Sequence, residues 1–102
     1  MKSKSKKNSS VNVYSPGDML TVNYASEIRD NIIRLLAEEE ALDLDLSDVR
    51  ECDTSGIQIL VSFKIFGARQ GKTLSIINET EPVINEALAL GFQPEDLFMQ
   101  RG

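Results

Sequence analysis

Three segments of the chain carry apolar residues at helical spacing. In the segments between these three, apolar and polar residues alternate instead. Ile28, Ile32 and Leu36 share one face of a helix that begins near Glu27. The stretch 41–46 instead alternates apolar and acidic residues, which is the period of a β-strand. The same reasoning along the whole chain predicts strands at 11–14, 19–22, 41–46 and 73–77, and helices at 27–38, 56–69 and 81–90.

The order of these elements predicts an α/β fold with a sheet of about four to five strands. Strand–helix–strand units join parallel strands by right-handed crossovers. The first two strands flank Ser-Pro-Gly-Asp at 15–18, which is a turn signal, so we expect an N-terminal β-hairpin. The hairpin would add an antiparallel edge and make the sheet mixed. Three to four helices are expected to pack mainly on one face of it.

The composition fits one globular domain and argues against several functions. The chain has 102 residues, 41% of them hydrophobic, and no apolar run approaches the ~20 residues of a membrane-spanning helix. Histidine is absent and Cys52 is the single cysteine, so the usual zinc ligands and histidine-activated nucleophiles are missing. We expect no enzyme activity, no metal and no cofactor. The lone cysteine favours a reducing compartment, so we expect a cytoplasmic protein without stable membrane insertion.

Charge divides the chain into a basic start and an acidic remainder. Lys2, Lys4, Lys6 and Lys7 come first, and the residues after them include seven basic and sixteen acidic side chains. An acidic surface repels phosphate backbones, and aromatic residues make up only 6%, so we expect no nucleic-acid partner. Residues 1–10 are predicted to be a disordered tail before a domain at 11–102. A weak contact of the tail with anionic lipid or nucleic acid is the alternative.

The strongest functional signal is Asp53-Thr54-Ser55-Gly56, which precedes the second predicted helix. This spacing places Ser55 at or next to the N-cap. Free backbone N–H groups and the positive end of the helix dipole would accommodate a phosphate on this serine. The same dianion would disrupt an apolar contact with a partner. Because Asp, Thr and Ser are also ordinary capping residues, the spacing leaves both a simple cap and a regulated serine open.

The helix after Gly56 carries more apolar residues than one buried face needs. They form two rows, Ile57, Val61 and Ile65 in the first and Ile59, Phe63 and Phe66 in the second. One row is expected to face the sheet and the other to be at least partly open. We favour the first row as core, which makes Ile59 and Phe63 candidate partner-binding residues. Burial between two flanking helices is the alternative explanation.

The ordered series of motifs resembles the STAS domain, a family named for sulfate transporters and anti-sigma factor antagonists. Its most specific part is the apolar-Asp-apolar-Ser sequence at 44–47, followed eight residues later by Ser55 in Asp-Thr-Ser-Gly. The Gly-Lys pair at 71–72, the strand at 74–77 and the sequence Glu-Ala-Leu-Ala-Leu-Gly-Phe at 86–92 agree with it. The resemblance covers residues 11–92 and implies a STAS-like sheet.

In that family, stand-alone bacterial members bind a regulator that is often a serine kinase, and the kinase phosphorylates the serine before the glycine. The resemblance therefore implies that Ser55 is a phosphorylation site and that Asp53, Thr54 and Gly56 belong to the partner-binding loop. A metal-dependent Ser/Thr phosphatase would reverse the modification.

The implied function is a switch resembling an anti-sigma factor antagonist, with a role in signal transduction or transcription regulation. It would bind a kinase or anti-sigma-type regulator while Ser55 is unphosphorylated and release it after phosphorylation. The alternative is a constitutive STAS subunit that binds the ATPase of a lipid transporter or another signalling complex.

Overall fold

In the computed structural model, which describes residues 12–98, strands and helices alternate as an α/β fold. The strands are β1 (Asn12–Tyr14), β2 (Met19–Leu20), β3 (Ala41–Asp45), β4 (Glu51–Cys52) and β5 (Thr73–Ile77). The helices are α1 (Ala25–Glu38), α2 (Thr54–Arg69), α3 (Glu81–Ala89) and α4 (Pro94–Leu97), and a 3-10 turn (Val22–Tyr24) leads into α1. None of these helices is both long and apolar enough to cross a bilayer. The tail predicted at 1–10 lies outside the described residues.

The strands of residues 12–98 form two sheets in which every pair is parallel. The larger sheet has the order β1-β3-β5, and the smaller one pairs β2 with β4. The predicted hairpin, with its antiparallel edge, is therefore wrong. Each of the first two strands finds its partner in a later strand, Tyr14 opposite Leu44 and Leu20 opposite Cys52. The turn between them, with Gly17 at φ +90°, carries the chain from one sheet to the other.

The core lies on one face of the larger sheet, under the helices. Leu42 and Leu44 of β3 are fully buried, whereas Asp43 between them points to the opposite face and is half-buried. Strand β5 repeats this alternation with Leu74 and Ile76 as its buried residues. Because burying a Leu or Ile side chain contributes about 1.5–3 kcal/mol, this layer supplies a large part of the stability.

Helix α3 is held beside the segment that leads to Ser55. Thr80 occupies its N-cap, but the Thr80 hydroxyl donates to the Val49 carbonyl at 2.8 Å instead of capping the helix. At the other end Gly91 adopts φ +92°, and the Phe92 N–H donates to the Ala87 carbonyl at 2.9 Å. Gly91 therefore ends the helix in the left-handed conformation that glycine adopts without steric cost.

Candidate functional site

The loop between β4 and α2 is organised by the carboxylate of Asp53. Asp53 is the N-cap of α2, and its Oδ1 accepts a hydrogen bond from the Gly56 N–H at 3.2 Å. Its Oδ2 accepts a second hydrogen bond from the Val22 N–H at 3.0 Å. A side-chain cap stabilises a helix by about 1 kcal/mol. The second bond fixes the 3-10 turn against the start of α2.

Helix α2 starts two residues earlier than predicted, so Ser55 lies inside the first turn and not at the cap. Ser55 is the second residue of the helix and is half-buried, whereas Thr54, the first residue, is exposed. The N–H groups of a first turn have no acceptor within the helix, and the helix dipole is positive there. The dipole favours negative charge near Ser55, but the Gly56 N–H already donates to the Asp53 carboxylate and is not available to a phosphate.

Thr54 links α2 to α3. Its hydroxyl donates a hydrogen bond to Oε2 of Glu86, at an oxygen–oxygen distance of 3.2 Å. Glu86 is half-buried on α3, and 32 residues separate it from Thr54 in the sequence. Sequence reasoning placed Glu86 within a family motif but not at this site, because no local pattern predicts which helices meet.

Gly56 is required by the close approach of α2 to β2. A Cβ atom at this position would lie 2.3 Å from the backbone oxygen of Leu20, a separation that real Cβ atoms essentially never show. It would also lie 2.7 Å from Cγ of Leu20 and 3.1 Å from Sγ of Cys52. The glycine after Ser55 therefore has a packing role, whether or not it contacts a partner.

Cys52 is half-buried beneath the same loop. Burial, followed by the negative charges of Glu86 and Asp53, raises the pKa of its thiol to about 12. The thiolate is the reactive form of cysteine, so this side chain is a poor nucleophile at neutral pH. Within residues 12–98, moreover, no group of three or more His, Cys, Asp or Glu side chains is placed to hold a metal ion.

An open groove of about 470 Å³ lies beside Thr54, between α2 and the end of α3. The residues that line it are Thr54, Ile57, Gln58, Val61, Ser62, Leu90 and Phe92. Leu90 is exposed, and Val61 and Phe92 are only partly buried. Apolar surface is therefore accessible next to Thr54, the first residue of α2, whereas Ser55 is not among the residues that line the groove.

The orientation of α2 differs from the prediction. Ile59 and Phe63 are only 9% and 5% exposed, so they belong to the core and the expectation that they face a partner is wrong. In the other row Ile57 is fully buried but Ile65 is 49% exposed. Both rows cross from buried to exposed because the face that α2 turns inward lies between them and carries Gly56, Leu60 and Gly67, which are all buried.

The 3-10 turn adds apolar surface that the sequence analysis missed. Val22 is 63% exposed and Tyr24 is 46% exposed, and the Val22 N–H is bonded to Asp53. The strand predicted at 19–22 ends at Leu20 in the structure. The long-range bond from Asp53 determines this position, and the local sequence contains no signal for such a bond.

Asp45, in the motif at 44–47, forms hydrogen bonds at the end of the larger sheet. Oδ1 of Asp45 accepts hydrogen bonds from the Ser47 N–H at 3.0 Å and from the Asn78 side-chain amide at 3.1 Å. The first of these bonds, and then the second, holds the pKa of Asp45 below its ordinary value. Because Asn78 follows β5, this aspartate ties together the ends of two neighbouring strands.

The fold and this loop define a small parallel α/β domain with hydroxyl groups and an apolar groove at the start of its second major helix. A family model described as "Mlab, STAS domain" matches residues 16–94, and the chain therefore belongs to the STAS domain family. The resemblance seen in the sequence is confirmed. Membership of this family supports a general role that is either signalling or anti-sigma antagonist-like. A search of curated proteins gives no match.

Proposed function

We propose that this protein is a phosphorylation-controlled binding switch. The observation that carries the proposal is the position of Ser55, half-buried in the first turn of α2 and one residue from Thr54, which lines the apolar groove. A partner seated over this part of the surface would cover the serine and the groove together.

The proposed switch depends on the different costs of desolvating a hydroxyl group and a phosphate when a partner binds. A phosphoryl group adds a charge of about −1.5 to −2 at neutral pH. The first turn of α2 would accommodate that charge through its N–H groups. A partner that packs apolar side chains against the groove would instead have to desolvate it, which is strongly unfavourable. Asp53 and Glu86 already make this region acidic, so the phosphate would add to an existing negative potential.

The proposed partners are a serine kinase or anti-sigma-type regulator and a Ser/Thr phosphatase, and the proposed location is the cytoplasm. In this proposal the protein binds and releases its partner and catalyses no reaction itself. Asp53 and Gly56 shape the loop, whereas Thr54 and Ser55 present its outer surface. Ile59 and Phe63 stabilise α2 from inside.

Partner capture by three variants in the native host tests the proposal. Ser55→Ala should retain the partner regardless of kinase activity, whereas Ser55→Asp should lose it. Ser26→Asp is the matched control, because Ser26 is the exposed second residue of α1 and receives the same charge at the same helical position. It should bind like the wild type.

The mass of the wild-type protein from the same cells provides the second readout. A species heavier by about 80 Da, with the phosphate mapped to Ser55, is expected. Equal capture by Ser55→Ala and Ser55→Asp would refute the switch and favour a constitutive subunit, such as one bound to the ATPase of a lipid transporter.

A further inference from the structure

We propose that the open face of the larger sheet is a docking surface for the basic residues 1–11 of the same chain. The proposal is independent of the serine switch and concerns a different surface of the domain. It assigns a role to four lysines that the proposed function does not use, namely Lys2, Lys4, Lys6 and Lys7.

The open face carries the side chains that alternate with the buried ones along each strand. Three rows of paired residues cross it, and they are Ala41 with Thr73, Val13 with Asp43 and Ser75, and Asp45 with Ile77. Within residues 12–98 none of these side chains belongs to the buried core or packs against it, and Val13 is 61% exposed. One face of the sheet therefore lies under the helices, and the other has no layer over it among the described elements.

Both charged side chains on this face, Asp43 and Asp45, are acidic. Asp43 lies in the middle of the face, and no basic side chain of residues 12–98 is within ion-pair distance of it. Glu40, directly before β3, is exposed and adds negative charge at the edge of the sheet. Lys72, directly before β5, does not offset this charge on the open face, because its ammonium donates to the Leu36 carbonyl at the end of α1. Such a face complements a basic segment.

The position of β1 brings residues 1–11 to this face. β1 is an edge strand of the larger sheet, and Asn12 is paired with Leu42 near the start of the parallel strand β3. The chain therefore reaches β1 from the edge at which Glu40 lies. Eleven extended residues span up to about 36 Å, whereas three neighbouring strands extend over about 10 Å. This length is enough to place lysine side chains over Asp43 without any movement of the sheet.

Covalent attachment makes the chain's own segment the favoured occupant. A single exposed ion pair is weak, but a short linker gives the attached segment an effective concentration of millimolar order at the face. A separate basic partner would have to displace it. Because residues 1–10 contain almost no apolar side chains, the contact is electrostatic and should weaken as salt screens the charges.

Cross-linking of the full chain with a carbodiimide tests the contact, since this reagent joins a lysine amine only to a carboxylate that it touches. We expect a cross-link from Lys4, Lys6 or Lys7 to Asp43, mapped by mass spectrometry of the digested protein. Its yield should fall at least about fivefold between about 0.01 M and about 1 M salt, because the screening length shortens from about 30 Å to about 3 Å. In an equal mixture of unlabelled and 15N-labelled protein, both peptides of each cross-link should carry the same label.

Tryptic cleavage after Lys6 and Lys7 at low salt provides the second readout. Asp43→Asn removes one charge from the face and should speed this cleavage about twofold to fivefold, which is the effect of one exposed ion pair. Asp96→Asn is the matched control, because Asp96 is exposed on α4 and belongs to none of the three rows. It should be cleaved at the wild-type rate. Urea unfolding verifies that both variants are folded.

Each contrary outcome would overturn the proposal. Equal cleavage rates in Asp43→Asn and Asp96→Asn would show that the sheet face does not hold the segment. Cross-links that join labelled to unlabelled peptides would place the segment on a second copy of the chain. Absence of the Asp43 cross-link, together with binding of the protein to vesicles that contain phosphatidylserine but not to vesicles of phosphatidylcholine alone, would assign the lysines to an anionic membrane instead.

Discussion

Replacing Gly56 by alanine should destabilise the domain, although alanine is the better helix former. The new Cβ would lie 2.3 Å from the Leu20 backbone oxygen and 2.7 Å from Leu20 Cγ. The first of these atoms belongs to the main chain of β2, so no change of rotamer relieves the contact. Either β2 or the start of α2 has to move.

The expected change in the free energy of unfolding is the sum of three effects, one stabilising and two destabilising. Alanine in place of a helical glycine stabilises by ~1 kcal/mol. Overpacking a well-packed site costs about 1–3 kcal/mol and occasionally more. Displacing β2 also weakens the hydrogen bond from the Asp53 N–H to the Leu20 carbonyl, 3.2 Å long, which contributes ~1 kcal/mol. Because Leu20 is fully buried, we place the overpacking cost at its upper end and expect a net loss of about 2–3 kcal/mol.

Gly67→Ala is the matched control, because it adds the same methyl group to the same helix. The nearest atoms to its Cβ would be the Lys72 oxygen at 3.4 Å and Leu74 Cβ at 3.7 Å, which is near ordinary contact. We expect its stability to lie within about 1 kcal/mol of the wild type. Urea unfolding followed by circular dichroism is the assay, since the chain has no tryptophan. Equal stability of the two variants would refute the close approach of α2 to β2.

Three further predictions concern the same region. Asp53→Ala should lose about 1–2 kcal/mol of the free energy of unfolding, because it removes both the helix cap and the hydrogen bond to the 3-10 turn. Urea unfolding measures this loss, and an unchanged midpoint would contradict the cap. Leu60→Ala, at a fully buried position, should lose about 2–5 kcal/mol, whereas Ile65→Ala should lose less than ~1 kcal/mol. Equal losses for these two variants would mean that the orientation of α2 is wrong. The Cys52 thiol, with its pKa near 12, should react with a disulfide reagent at pH 8 far more slowly in the native protein than in urea, and rapid native labelling would count against its burial.

The central elements were predictable because their signals are local. The alternation at 41–46 gives β3, and the capping and glycine signals around α3 fix both of its ends to within a residue. The pairing of β1 and β2 was not predictable in this way. A turn sequence indicates that the chain bends, but the partner of a strand depends on which later strand reaches its edge. Here β3 and β4 provide those edges, and the hairpin does not form.

The residues of the candidate site were likewise predictable only where their signal is local. Asp53 to Gly56 could be singled out from the sequence, because capping residues and a glycine before an apolar run are a local pattern. Glu86 and Val22, which contact Thr54 and Asp53, are 32 and 31 residues away and carry no such pattern. The buried side of α2 was misjudged for a related reason. Hydropathy gives the width of an apolar face, whereas the part of it that is buried depends on which distant elements the helix meets.

The contacts that support the loop between β4 and α2 lie on its inner side. The groups proposed to change its binding lie on its outer side. Asp53 bonds to the backbone of Gly56 and Val22, and Gly56 packs against Leu20, so these residues support the loop from within. The side chain of Thr54 is exposed, and that of Ser55 is partly exposed. A charge added at Ser55 therefore alters the surface presented to a partner while the supporting contacts stay in place. Loss of Asp53 or an added side chain at Gly56 acts in the opposite way, because it removes the support on which that surface depends.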